Sequence, residues 1–111
     1  RYLDKSLIKE KADIITIDAS FISLTKVIPV IIDLLKPRGI VIALIKPQFE
    51  LKRWDVGNGG IVKDEAMHME AVDKIKDFTI TLGLEIKGVI ESPILGQKGN
   101  REFFICLGKT G

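Results

Sequence analysis

Three ionisable residues, widely separated in the sequence, stand where acid–base chemistry or the orientation of a ligand could be carried out. Asp18 and Lys46 each directly follow an apolar run, and Glu102 directly precedes one. Carboxylates and an amine of this kind can accept, donate or hold a proton at neutral pH once their surroundings adjust their pKa values. Whether they form one site depends on the elements that carry them.

Two of the apolar runs indicate strands of a parallel sheet. Residues 13–18 are rich in β-branched side chains and close on a polar residue, which is typical of a buried strand. Residues 40–45 are apolar at every position, which predicts a central strand with helices on both of its faces. Ser20 or Ser23 is expected to cap a helix between them, and 37–39, Pro-Arg-Gly, to end it.

The second half of the chain predicts a long helix and two further strands. Asp64 is a plausible N-cap, and Gly83 provides a stop. Between them an apolar stripe keeps helical spacing, formed by Met67, Ala71, Ile75, Phe78 and Leu82. Residues 84–90 and 102–107 read as strands joined by a loop too short for a crossover helix, so they are expected to be antiparallel.

This order of elements predicts a mostly parallel α/β sheet whose last strand runs against the others. Ligands bind outside the carboxyl ends of parallel strands in such sheets. Asp18 and Lys46 close two of these strands, and Glu102 opens the antiparallel one, so all three should lie at one edge. Taken singly, Asp18 could be a helix cap, Lys46 a surface lysine and Glu102 a solvated strand end.

The bulk composition excludes several classes of protein. The net charge of +2 means that a nucleic-acid partner would have to meet a local basic patch. The single Cys106 excludes an intrachain disulfide, and a reducing cytoplasm is the expected location. Charged residues interrupt the most apolar stretch, 27–45, so no membrane span is expected. His68 and Cys106 have no partners at metal-ligand or nucleophile spacing, so we expect both to be structural and no metal to bind.

Four segments, in order along the chain, resemble a known family. They are DASFISL at 18–24, KPQFE at 46–50, GGIVKD at 59–64 and the segment from Ser-Pro to Asn-Arg-Glu at 92–102. This sequence is similar to the haemolysin-A-like, FtsJ-type ribosomal RNA 2′-O-methyltransferases. The resemblance implies the second half of a Rossmann-like fold that uses S-adenosylmethionine. The resemblance implies that residues 1–111 are the C-terminal part of that domain and do not include its Gly-rich cofactor turn.

The resemblance also implies roles for the charged residues. The family's Lys-Asp-Lys-Glu tetrad matches Asp18, Lys46 and Glu102, while its first lysine has no counterpart here. Lys46 is then the base or a hydroxyl-orienting group, Asp18 its partner beside the cofactor, and Glu102 an orienting residue. Asp18, Ser20 and Phe21 form the chain's side of the cofactor cleft. Carboxylates near Lys46 favour its charged form, which opposes a role as base.

Basic residues in loops near the same edge are candidates for contacts with RNA phosphates. They are Lys52, Arg53, Lys63, Lys98 and Arg101. Trp54 and Phe49 could stack on an extruded base or simply anchor a loop.

Two other functions stay open. One is a fragment that binds RNA or a protein without catalysis. The other is a membrane-lytic protein, which would need an exposed amphipathic segment. The helix expected over 64–82 mixes acidic and basic residues on its polar face, and this argues against attraction to anionic lipid.

Overall fold

The computed structural model describes residues 11–52 and 59–110, which form one mixed α/β layer structure. In chain order the elements are β1 (Ala12–Ile17), α1 (Leu24–Ile31), a 3₁₀ turn (Ile32–Leu34), β2 (Leu35–Ile45), α2 (Pro47–Glu50), α3 (Glu65–Thr81), β3 (Glu85–Glu91), a 3₁₀ turn (Gln97–Gly99) and β4 (Phe103–Gly108).

The four strands form one sheet in the order β1-β2-β4-β3. β1 pairs with β2 in parallel, and β4 pairs antiparallel with both β2 and β3. Three strands therefore run in the same direction and β4 runs against them. This confirms the predicted fold class, and the two last strands lie within one residue of their predicted bounds.

The first helix begins where one of its two predicted caps lies but ends earlier than expected. Ser23 is the N-cap, and its side chain accepts a hydrogen bond from the Thr25 amide. Pro29 lies inside α1, where it removes one backbone donor, and the chain leaves the α-helix three residues later through the 3₁₀ turn.

The prediction that residues 37–39 form the turn before a strand at 40–45 was wrong, because these residues already belong to β2. Ala12 pairs with Leu35 and Ile14 with Ile40, so a bulge on β2 takes up the extra residues between two regular registers. Arg38 has φ of +64° within this bulge. The local Pro-Arg-Gly sequence does favour a reversal, but pairing with β1 on both sides keeps the chain in the sheet.

The core lies between one face of the sheet and the helices α1 and α3, which also contact each other. Alternate residues of β2 are fully buried there, namely Val41, Ala43 and Ile45. Ala71 and Ile75 from the predicted stripe of α3 are also fully buried. Asp64 caps α3 by accepting from the Ala66 amide, and Gly83 follows its end with φ of +78°.

The opposite face of the sheet differs from the expectation that helices cover both sides of 40–45. Within the described residues this face carries an open apolar groove of about 410 Å³. It is lined by Ile42, Gly88, Ile90, Phe104 and Cys106. Among the described helices, none combines the length and apolar character that crossing a bilayer requires.

Candidate functional site

Asp18 and Lys46 meet at the carboxyl edge of the parallel strand pair. Ile17, the last residue of β1, pairs with Ala43 of β2. Asp18 directly follows Ile17, and Lys46 directly follows the end of β2, three residues after Ala43. Lys46 Nζ lies 2.5 Å from Asp18 Oδ1 and donates a hydrogen bond to Ser20 Oγ at 3.0 Å. The lysine side chain is only 12% exposed, whereas that of Asp18 is 70% exposed. The predicted pair is thus formed, with its carboxylate open to a ligand.

Glu102 lies at the same edge but is linked to the pair indirectly. Phe103, the first residue of β4, pairs with Ile45, which places Glu102 beside the residue that ends β2. Its carboxylate is buried and accepts a hydrogen bond of 3.0 Å from Gln48 Nε2. The three predicted residues therefore share an edge, while the hydrogen-bond partner of Glu102 is Gln48 and not Lys46.

Gly96 makes room for the Glu102 carboxylate. A Cβ atom at position 96 would overlap the carboxylate oxygens, so this position cannot carry a side chain without moving Glu102. The turn is closed by hydrogen bonds between backbone groups of Gly96, Gly99 and Asn100. Asn100 is buried and fixes the neighbouring loop, since it accepts from the Val62 amide and donates to Gly60 O. Gln48 and Asn100 were missed by the sequence analysis, although both lie in segments of the family resemblance.

The predicted cofactor residues line an open cleft at this edge. The edge cleft has a volume of about 640 Å³ and is lined by Asp18, Ala19, Ser20, Phe21, Ile22 and Lys26. Phe21 is 80% exposed and has φ of +64°, which is a strained conformation for a bulky residue. Its ring centroid lies 4.8 Å from that of the half-buried Phe49. Such strain often occurs at functional positions.

The predicted RNA contacts fall into three groups. Lys52, Lys63 and Lys98 are exposed loop residues. Arg53 lies outside the described residues, as does Trp54. The guanidinium of Arg101 is engaged within the chain.

The partners of Arg101 are carboxylates of the neighbouring elements. Its Nε and Nη2 donate to Glu91 at 2.9 and 2.6 Å, and Nη2 lies 3.8 Å from Glu65 Oε1. The hydrogen bond from Arg101 lowers the pKa of Glu91. An RNA phosphate at Arg101 would therefore have to compete with these carboxylates.

His68 is packed in the core, whereas Cys106 is partly exposed on the sheet. His68 is buried, its Nε2 lies 2.9 Å from Val62 O, and its ring is 6.0 Å from that of Phe103. Cys106 lines the apolar groove of the sheet. Across residues 11–52 and 59–110, no three His, Cys, Asp or Glu side chains are arranged to hold a metal ion.

The family described as FtsJ-like methyltransferase matches residues 1–109 of the chain. Two relatives are similar over most of the chain. YqxC of Bacillus subtilis, whose name assigns it to the rRNA methyltransferases, is 44% identical over 96 residues, which are 86% of this chain and 34% of that protein. The 16S/23S rRNA (cytidine-2′-O)-methyltransferase TlyA of Mycobacterium tuberculosis is 35% identical over 107 residues, 96% of this chain and 40% of that protein.

Two solved structures share the fold. A protein from Streptococcus thermophilus described as a hemolysin superposes with a TM-score of 0.92 at 37% identity, covering 98% of this chain and 40% of that one. The O-methyltransferase of Bacillus cereus, solved with SAH, gives a TM-score of 0.51 at 18% identity, covering 95% of this chain and 44% of that one. The second likeness concerns the fold alone. The chain thus spans well under half the length of these relatives.

Proposed function

We propose that this chain, which belongs to the FtsJ-like methyltransferase family, is the C-terminal part of a domain that transfers a methyl group from S-adenosylmethionine to a ribose 2′-hydroxyl of ribosomal RNA. The observation that carries the proposal is the Asp18–Lys46 ion pair at the carboxyl edge of the parallel strands. A relative at 35% identity carries the name of an rRNA 2′-O-methyltransferase, and this supports the choice of substrate.

The residues of the edge cleft fit one side of the cofactor. The exposed Asp18 carboxylate can accept hydrogen bonds from ribose or ammonium groups, and the exposed face of Phe21 can pack against a flat or cationic group. S-adenosylmethionine, when bound, supplies a methyl group on a positively charged sulfur. A Gly-rich turn that would hold the remainder of the cofactor is not among residues 11–52 and 59–110.

Lys46 is proposed to hold the hydroxyl that accepts the methyl group. Its ammonium group has three N–H donors, of which one faces Asp18 and one Ser20. The third can donate to the ribose oxygen and fix its direction of attack. With two donors held in this way, the geometry supports orientation of the hydroxyl by Lys46.

Asp18 and Glu102 are proposed to position Lys46 in two different ways, one directly and one through a neighbouring residue. Asp18 holds the ammonium group directly, and its exposure leaves its second oxygen open to the cleft. Glu102 orients Gln48 and thereby the turn that follows Lys46. The exposed cations Lys63 and Lys98 are proposed to meet RNA phosphates, and Arg53 is retained as a candidate from the sequence.

The non-catalytic alternative predicted a Lys46 tied up in a surface ion pair away from the cleft. Instead the Lys46 side chain is largely buried and binds Asp18 and Ser20, which line the edge cleft, and this favours the enzyme. The lytic alternative rests on the hemolysin names of several similar proteins, two solved structures and one relative. Leakage from vesicles of anionic lipid would separate that activity from methyl transfer.

A methyl-transfer assay on the full-length protein tests the proposal. Labelled S-adenosylmethionine and ribosomal RNA are incubated with the wild type, and the label is mapped to a ribose by resistance to alkaline hydrolysis. Lys46→Ala should abolish transfer. Lys36→Ala is the matched control, because Lys36 pairs with Asp13 at 3.5 Å at the other end of the same two strands. No ribose methylation by the wild type, or equal loss in both variants, would contradict the proposal.

A further inference from the structure

Glu50 is a buried carboxylate that joins three separate segments of the chain. It ends α2 and is 5% exposed. Its Oε1 accepts a hydrogen bond of 2.6 Å from Ser23 Oγ, and its Oε2 accepts one of 2.8 Å from the Leu24 amide. Lys74 of α3 lies 3.2 Å from Oε1 and also donates to Glu50 O at 2.6 Å. The carboxylate is thus fully partnered, as a buried charge must be.

Glu50 is the last of three contacts between two short segments. Segment 18–24 follows β1, and segment 46–50 follows β2. Lys46 binds Asp18 and Ser20 at one end, Phe49 packs on Phe21 in the middle, and Glu50 binds residues 23 and 24 at the other end. The contacts follow each other in the same order along both segments. A shift of one segment at the Glu50 end therefore changes how the two segments face each other at the Lys46 end.

Helix capping alone does not account for Glu50. Ser23 already caps α1 through the Thr25 amide, and the Leu24 amide is only one of several N-terminal donors of this helix. Burying a carboxylate to bind one of them requires the additional cation Lys74. Between the contacts lies Phe21 with its positive φ, a conformation that persists only when its surroundings impose it.

We propose that Glu50 is a positioning residue for the Asp18–Lys46 pair: by binding Ser23 and Leu24 it fixes segment 18–24 against the turn that carries Lys46. This inference rests on the proposed methyl transfer for its effect on rate. Glu50 touches no reacting atom, so its removal should lower the rate through the placement of the pair. A displacement of about 1 Å at a reaction centre costs roughly 100-fold in rate.

The test compares Glu50→Ala, Glu50→Gln and the control Glu70→Gln in the full-length protein. Glu70 is exposed, lies one turn before Lys74 and lines the same surface groove as Glu50. We expect kcat per folded molecule to fall about 100-fold in Glu50→Ala. Glu50→Gln should fall less, since its amide oxygen can still accept from one donor. Glu70→Gln should match the wild type, and KM for RNA should stay within about twofold in all three.

Hydrogen exchange at the Leu24 amide provides a readout that does not depend on activity. Exchange should accelerate by about tenfold or more in Glu50→Ala, as expected for the loss of a hydrogen bond to a charged group, and to a smaller extent in Glu50→Gln. In Glu70→Gln and in the β1–β2 pair it should not change. If Glu50→Ala does not fold, Glu50→Gln, which keeps the side-chain volume, decides the question.

The two possible failures are distinguishable. A wild type without methyl transfer refutes the proposed function, and the exchange result then decides whether Glu50 holds segment 18–24. An active wild type whose Glu50 variants keep the wild-type kcat per folded molecule overturns the positioning role. Reduced yield of folded protein with unchanged kcat would also overturn it, because that is the pattern of a purely structural residue.

Discussion

Replacing Lys46 by Met should separate catalysis from stability, because we expect this residue to contribute much more to the rate of methyl transfer than to the free energy of unfolding. At the observed 2.5 Å, two unit charges attract by about 1.7 kcal/mol in water and by about 7 kcal/mol at an effective dielectric constant of about 20. Asp18 is 70% exposed, so the lower figure applies and side-chain entropy reduces it further. Exposed pairs contribute about 0.2–1 kcal/mol. We therefore expect Lys46→Met to lower the free energy of unfolding by about 1 kcal/mol or less.

The expected loss of activity is far larger. A positioned group that handles a proton or orients a nucleophile contributes about 10²- to 10⁴-fold in rate. This corresponds to roughly 3–5 kcal/mol of transition-state stabilisation. Met keeps the length and apolar stem of lysine, so the buried part of the side chain stays packed. A fall in kcat of that size, with a change in unfolding free energy near 1 kcal/mol, is the signature of a functional lysine.

The assay is a double-mutant cycle with Asp18→Asn in the full-length protein. Single-turnover methyl transfer at saturating S-adenosylmethionine and denaturant unfolding are measured for the wild type, both single variants and the double variant. Because Asp18 is proposed to act on the hydroxyl through Lys46, the double variant should be little slower than Lys46→Met alone. Strictly multiplicative losses, or a drop in kcat of less than about tenfold for Lys46→Met, would refute the reasoning.

Three further predictions concern the surroundings of the site and the chain as a whole. Gly96→Ala should displace Glu102 and destabilise the fold by about 1–3 kcal/mol in denaturant unfolding, whereas Gly88→Ala, with open space at its Cβ, should not. Arg101 lowers the pKa of Glu91 below 4.5, so their pairing should stabilise the fold above about pH 4.5 and should cease to do so as the pH falls through the lowered pKa. In Glu91→Gln this part of the pH dependence of the unfolding free energy should vanish. An unchanged pH dependence below pH 4.5 in this variant would refute the prediction. In a calorimetric titration, residues 1–111 alone should bind S-adenosylmethionine with a Kd above the micromolar range, which corresponds to a binding free energy weaker than about −8 kcal/mol. A micromolar Kd would show that the cofactor site is built from this chain alone.

The strands apart from the start of β2, the antiparallel pairing of the last two strands and the shared edge could be predicted from the sequence, because they depend on signals that extend over whole segments. Continuous apolar runs identify buried strands, and a short connection forces the last pair to be antiparallel. The edge position of Asp18, Lys46 and Glu102 then follows from topology, without knowledge of any side-chain contact.

The start of β2 could not be predicted in this way. Residues 37–39 contain a strong local turn signal, and their placement in the sheet depends on pairing with β1, which is distant in sequence. Backbone hydrogen bonding extends this anchoring to the C-terminal part of the chain, since the Lys109 amide donates to Gly39 O. At residues 37–39 the pairing with a distant strand therefore determines the backbone conformation, and the local preference for a turn does not.

Glu50 shows why the inner part of the site was also missed. In the sequence it is one of many acidic residues, and nothing in its spacing separates it from the exposed Glu70. Its burial depends on donors from residues 23 and 24 and on a cation from α3, 24 positions later in the chain. A carboxylate becomes tolerable in a core only when such partners converge, and convergence of this kind is a property of the fold.

The arrangement also explains how the proposed active edge can be restrained while its charged groups remain partly open. The sheet fixes where β1 and β2 end, but it does not fix the side chains beyond those ends. Buried contacts on the core side supply that restraint, through Glu50 and Lys74, while Asp18 and Phe21 keep their exposed faces towards the edge cleft. Because restraint and exposure come from opposite sides of the same two segments, Lys46 can be held in place while the edge cleft stays open.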